Sequence, residues 1–121
     1  LDGDALQRIE RAERWLKARP RDWALLLTLG RLCLRNRLWG KARSYLEASI
    51  GLGGALRPTA FRELGALLEQ MNERDAALDC YRKGLLLVVG MAAEEERRPA
   101  AGARVVPLGP VAERAGAAAR A

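Results

Sequence analysis

Displaced by 35 residues, the sequence falls onto itself. Leu29 meets Leu64, Gly30 meets Gly65, Leu32 meets Leu67 and Ala42 meets Ala77. The same shift pairs Leu26 with Phe61, Cys33 with Leu68, Leu46 with Tyr81, Ser49 with Gly84 and Ile50 with Leu85. Small residues recur where helices must approach closely, and bulky ones recur a turn away. From residue 4 to residue 91 apolar positions lie three and four apart, and the alternation of a half-buried strand is missing. A pair of helices of this length cannot bury its apolar face alone, whereas stacked pairs can. The chain is therefore expected to be all-α, built from repeated helical pairs.

Five helices are predicted, at about Asp4–Ala18, Asp22–Asn36, Gly40 or Lys41–Gly51, Pro58–Met71 and Arg74–Val89. Asp22 is a good N-cap and Pro58 suits a first-turn position. Asn36 and Asn72 are expected to take the left-handed backbone of the turn inside each pair, and Gly51, Gly53 and Gly54 open the link between pairs. A helix–turn–helix repeat of this period is the tetratricopeptide pattern, whose unit is about 34 residues. The extra residue is assigned to the Gly51–Arg57 link, where insertions are tolerated. The first helix reads as the second helix of a preceding repeat, which makes two and a half repeats of a right-handed superhelix. Such arrays need about three units, so upstream repeats, the tail or self-association through the open end are expected to complete the stack.

Composition divides the chain into a repeat domain, 1–91, and an Ala/Pro/Gly-rich tail, 92–121, which holds eleven alanines, three prolines and three glycines. The tail is expected to be mostly irregular from Glu94 onward. Val105, Val106 and Leu108 around Pro107 could lie extended in a groove, and Val111–Arg120 is the one candidate for a short capping helix. The longest run without a charged or polar side chain, Gly84–Ala93, is ten residues, against roughly 18 to 20 for a membrane span. The chain opens Leu-Asp-Gly without a leader pattern, and reads as part of something longer.

The absence of histidine excludes Ser/His/Asp and Cys/His catalysis and histidine metal sites. Cys33 and Cys80 are too few and too far apart for a disulfide framework or a zinc site and are expected to be buried thiols. The carboxylate pairs Asp75/Asp79 and Glu69/Glu73 fall on faces expected to be exposed. No enzyme, cofactor or metal is expected.

The segment Leu38-Trp39-Gly40-Lys41-Ala42-Arg43-Ser44-Tyr45-Leu46-Glu47-Ala48-Ser49 is more distinctive than a generic repeat. With Leu29-Gly30-Arg31-Leu32-Cys33 before it and Leu78-Asp79-Cys80-Tyr81-Arg82-Lys83-Gly84-Leu85 after it, it resembles the C-terminal part of the proteobacterial HemY proteins. The resemblance covers about Leu6 to Val89. It implies an inner-membrane protein whose tetratricopeptide region is cytoplasmic and is associated with late protohaem synthesis. Haem-pathway enzymes are the partners it implies, with membrane contact through N-terminal helices absent from this chain. An unrelated flavoenzyme shares the name. Its Gly-x-Gly-x-x-Gly fingerprint is not met by Gly51-Leu52-Gly53-Gly54-Ala55-Leu56, which follows a helix and ends in leucine. The side chains with haem-ligand chemistry are Cys33, Cys80, Met71, Met91, Tyr45 and Tyr81, of which Cys33 and Tyr81 fall at positions the repeat buries.

The net charge of +6 arises entirely before Ser44, where eleven bases face five acids. In tetratricopeptide folds the first helices of successive repeats line a concave groove. Aligning Gly30 and Gly65 with the family glycine puts Leu27, Arg31, Leu34 and Arg35 on that surface, followed by Arg62, Ala66, Glu69 and Gln70. Gly30, Ala42, Gly65 and Ala77 are the packing positions. Arginine can hold a carboxylate in bidentate fashion, and Leu27 with Leu34 offers an apolar floor. The pattern differs from the carboxylate-clamp subgroup, which uses Lys and Asn. The competing reading is that these arginines are ordinary paired or solvated surface charges. The expected function is a non-catalytic protein-interaction scaffold. The alternatives are a basic module for RNA or anionic membrane surfaces, or a haem or porphyrin carrier. Against RNA, aromatics are only 5%, too few for stacking platforms, and no nucleic-acid partner is expected.

Overall fold

The computed structural model describes residues 3–97, and every described element is a helix: α1 (Gly3–Ala18), α2 (Trp23–Arg35), α3 (Trp39–Leu52), α4 (Arg57–Gln70) and α5 (Arg74–Arg97). The compact unit that carries α1 to α4 and most of α5 is Leu1–Val88, and the last turns of α5 belong to a second unit. The expected Val105–Leu108 groove segment and Val111–Arg120 helix lie outside the described residues. One boundary differs from expectation within them: Glu94–Arg97 is helical, because Ala92, Ala93 and Glu94–Glu96 are good helix formers with no proline before Pro99.

Local chemistry sets the helix ends. Asp22 caps α2 by accepting a hydrogen bond from the Leu25 amide at 3.1 Å. The turns that join α2 to α3 and α4 to α5 share one hydrogen-bond pattern. Leu38 N–H donates to the Cys33 carbonyl and Arg37 N–H to that of Leu34; Glu73 N–H donates to Leu68 and Asn72 N–H to Glu69, all at 2.9–3.1 Å. This is the Schellman closure, which needs one left-handed residue. That residue is Asn72 in the second turn, as expected, but Arg37 in the first, both at φ 61°. Asn36 stays at φ −99° and turns its side-chain amide back onto the Leu32 carbonyl at 2.8 Å.

Helices pack where glycine meets a large side chain. A Cβ added to Gly30 would lie 2.7 Å from the Leu46 side chain, and one added to Gly65 would lie 2.5 Å from the Tyr81 ring. Residues 30 and 65 are one repeat apart, as are 46 and 81, so the same contact joins α2 to α3 and α4 to α5. Ala42 and Ala77, also one repeat apart, are both buried. The second pair adds a close approach of Gly84 to Phe61. Between the pairs, α4 packs on both α2 and α3. Gly54, in the link, is pressed against the Trp23 indole, where any side chain would collide. The core that results includes Ile9, Leu29, Cys33, Leu46 and Leu67, and Trp39 packs half-buried against it.

Helix α1 buries Ala5, Ile9 and Ala12 and packs on α2. A polar latch ties it to α3. The Glu13 carboxylate accepts from Lys41 Nζ at 2.9 Å and from the Tyr45 hydroxyl at 2.5 Å. The Tyr45 hydrogen bond, seconded by Lys41, holds the Glu13 carboxyl below its ordinary 4.5. Burial, and then the same hydrogen bond, pushes the Tyr45 hydroxyl far above its usual range.

Two outcomes follow from these contacts. Gly30→Ala is expected to lower stability by about 1–3 kcal/mol, and by more than Gly65→Ala, because Leu46 is fully buried and cannot move aside whereas Tyr81 is only half-buried. Urea unfolding of the two variants checks the order. A carboxyl depressed in the folded state stabilises above its unfolded pKa, and that stabilisation is lost as pH falls through the folded value. Glu13→Gln should therefore destabilise by about 1–2 kcal/mol near pH 7, with the gap to the parent chain closing below 4.5, the ordinary value. Unfolding curves across this range test it.

Candidate functional site

The solvent-facing stripe of a helix beside its neighbour is fixed once its buried face is known. On α2 the buried residues are Leu26, Leu27, Leu29, Gly30 and Cys33, which leaves Ala24, Thr28, Arg31 and Arg35 along the opposite side. On α4 the buried residues are Ala60, Leu64, Gly65, Leu67 and Leu68, which leaves Thr59, Arg62, Glu63, Ala66, Glu69 and Gln70 on the other side, with Arg62, Glu69 and Gln70 exposed and Thr59, Glu63 and Ala66 half-buried. Thr59, Glu63, Ala66 and Gln70 are the α2 stripe displaced by 35 residues. The two stripes meet, since Arg31 Nε donates to Glu63 Oε2 at 3.1 Å across α2 and α4.

Four expected groove residues stand elsewhere. Leu27 is 2% exposed and belongs to the core, so it provides no apolar floor. The reason is angular: it lies one step, about 100°, round the helix from Thr28, on the buried side of α2. Glu69 accepts a hydrogen bond from the Tyr81 hydroxyl at 2.6 Å and so faces α5. Arg62 lines an open cavity of about 210 Å³ with Pro58, Tyr81, Gly84, Leu85 and Val88, on the α4–α5 side. Leu34 is half-buried and packs on the core. Arg31, Arg35, Ala66 and Gln70 remain on the two stripes that the Arg31–Glu63 pair joins. Thr28 and Glu63 are added to them, and the 35-residue shift that pairs 28 with 63 is the sequence signal for both.

Electrostatically the groove is less basic than three arginines would make it. Arg31 is engaged by Glu63, and Arg62 Nη2 also reaches that carboxylate at 3.6 Å. Arg35 is exposed and makes no ion pair among the described residues. A cavity of about 510 Å³ at the α4–α5 turn is lined by Glu69, Asn72, Asp75 and Tyr81 among others. The Glu69 hydrogen bond pushes the Tyr81 hydroxyl up to about 12, so it stays protonated near neutrality. Both cysteines are buried, and burial pushes their thiols up. No group of three or more metal-ligating side chains converges among the described residues, and no described helix is long and apolar enough to cross a membrane.

Compared with protein-family models and with curated proteins, the chain matches none.

The Arg31–Glu63 pair is the groove's internal brace, with side chains 39% and 17% exposed. Arg31→Gln and Glu63→Gln are each expected to lower stability by about 0.5–1 kcal/mol, and a double-mutant cycle should give a coupling of about 0.5 kcal/mol or more. Guanidinium unfolding of the two single variants and the double variant measures it.

Proposed function

We propose that the chain is a non-catalytic protein-interaction scaffold of the tetratricopeptide type, resembling the repeat region of the HemY proteins. The observation that supports this reading is the recurrence of one helix–helix contact, Gly30 on Leu46 and Gly65 on Tyr81, in two pairs whose first helices are joined by Arg31 and Glu63. Repeat arrays use such a surface to hold extended or helical segments of other proteins. Arg35 would take a partner carboxylate. The Arg31–Glu63 pair would hold the groove walls together and present Glu63's remaining acceptor capacity to backbone or side-chain donors.

The resemblance names enzymes of haem synthesis as partners and the cytoplasmic side of a bacterial inner membrane as the setting of the longer protein. Purified haem-pathway enzymes immobilised on beads should retain the chain, and Arg35→Glu should weaken retention by about three- to tenfold without altering the helical circular-dichroism spectrum. Unchanged retention by Arg35→Glu would remove the groove from the proposal. Titration with haem should leave the Soret band of free haem unshifted; a saturable shift would replace the scaffold reading with a carrier.

A further inference from the structure

One hollow of the second helical pair is built from residues unlike their counterparts in the first. It holds about 320 Å³ and is lined by Arg57 and Phe61 of α4 and by Lys83, Leu86 and Leu87 of α5. At about 100° per residue, these three α5 residues lie roughly opposite to Tyr81, Leu85 and Val88, which line the cavity beside Arg62. Thirty-five residues earlier the five positions are Asp22, Leu26, Ala48, Gly51 and Leu52. There Leu26 is 4% exposed, Ala48 and Gly51 are too small to wall a cavity, and the one charged residue is Asp22, the cap of α2. In the second pair Phe61 is half-buried, Leu86 is 61% exposed, and an arginine and a lysine replace the acid and the alanine. Repetition of the fold does not call for these residues.

None of the described lining residues is a carboxylate. Arg57 makes no ion pair among the described residues. Lys83 Nζ reaches Asp79 at 3.0 Å, but Arg82 reaches the same carboxylate at 3.7 Å, which leaves one positive charge in excess. Mostly apolar walls with a few converging polar groups are the usual make-up of a small-molecule site, and about 320 Å³ falls within the usual range of roughly 300–1,000 Å³. Apolar walls and two cations together suit an alkyl chain with an anionic head, and a carboxylate matches the guanidinium fork. Residues 98–121 carry Arg98, Arg104, Arg114 and Arg120 against Glu113 alone, and the whole chain is +6. Like charge therefore disfavours both that segment and a second copy as the occupant.

We propose that this hollow binds a fatty carboxylate, its chain against Phe61, Leu86 and Leu87 and its head group held by Arg57 with Lys83. The site shares no residue with the α2–α4 groove and does not rest on the scaffold reading.

The test is titration calorimetry of the full chain at low salt with decanoate, decanol and decylamine, each kept below the concentration at which it aggregates. Decanoate should bind saturably, and about tenfold more tightly than the other two. Arg57→Glu should reverse the order of decanoate and decylamine, which a merely misfolded variant would not do. Leu86→Asp should weaken decanoate and decanol alike, and Arg35→Glu should change neither. Equal binding of decanoate and decanol, no saturable binding of decanoate, or an unchanged order in Arg57→Glu would overturn the proposal. So would co-sedimentation with phosphatidylglycerol vesicles, lost in Arg57→Glu, from a chain that does not bind decanoate, since the ligand would then be a membrane surface.

Discussion

The close approach of a backbone to a large side chain organises this molecule. With no Cβ at residues 30 and 65, α2 can settle against Leu46 and α4 against Tyr81. The Schellman turns of each pair then place the second helix where that contact can form. Stacking follows from this, because only a tightly closed pair presents a continuous flank for the next helix to cover. In the first pair Leu27 and Ile50 belong to or pack on the core, and α4 packs on both helices of the pair. The polar contacts between helices, Glu13 with Lys41 and Tyr45, Arg31 with Glu63 and Arg43 with Glu73, join elements that the apolar contacts have already brought together.

Much of the fold was legible from the repeat. Among the described residues there are five helices, Asp22 caps α2, Gly30 and Gly65 lie against large side chains, and Ala42 and Ala77 are buried. Residue preference misled at the first turn. Asparagine tolerates left-handed backbone better than arginine, yet Asn36 serves as a carbonyl cap and Arg37 takes the positive φ, in register with Asn72. The shift of 35 residues was the better guide there, since 37 and 72 are equivalent and 36 and 72 are not. The end of α5 was underestimated for a different reason. A change in composition at residue 92 was read as a change in structure, although alanine and glutamate continue a helix readily.

The groove was legible only in part because equivalence is not orientation. A period says that residues 27 and 62 occupy matching places, but the side of the helix on which those places lie depends on where α4 packs. Successive residues are about 100° apart round a helix, so Leu27 is buried while Thr28 beside it lines the groove. The pairing of Arg31 with Glu63 changes the character of the site as well. A stripe that reads as basic along the sequence is partly neutralised in three dimensions by an acid 32 residues away.

The short reach of these contacts bears on how the chain attains its structure. Among the described side-chain hydrogen bonds, the longest separations are 32 residues, those of Arg31 with Glu63 and of Tyr45 with Glu13. Each closure therefore spans about one repeat, and the entropy lost in forming it is modest. Low contact order of this kind goes with rapid folding, and an array of such units can nucleate in any helical pair and grow by neighbour-to-neighbour docking. The two pairs differ in the strain of their turns, Arg37 against Asn72, and in the mobility of the side chain over the glycine, Leu46 against Tyr81. The kinetic consequence is an asymmetric landscape: the second pair meets less local resistance in closing its turn, while the first, once formed, is the harder one to open.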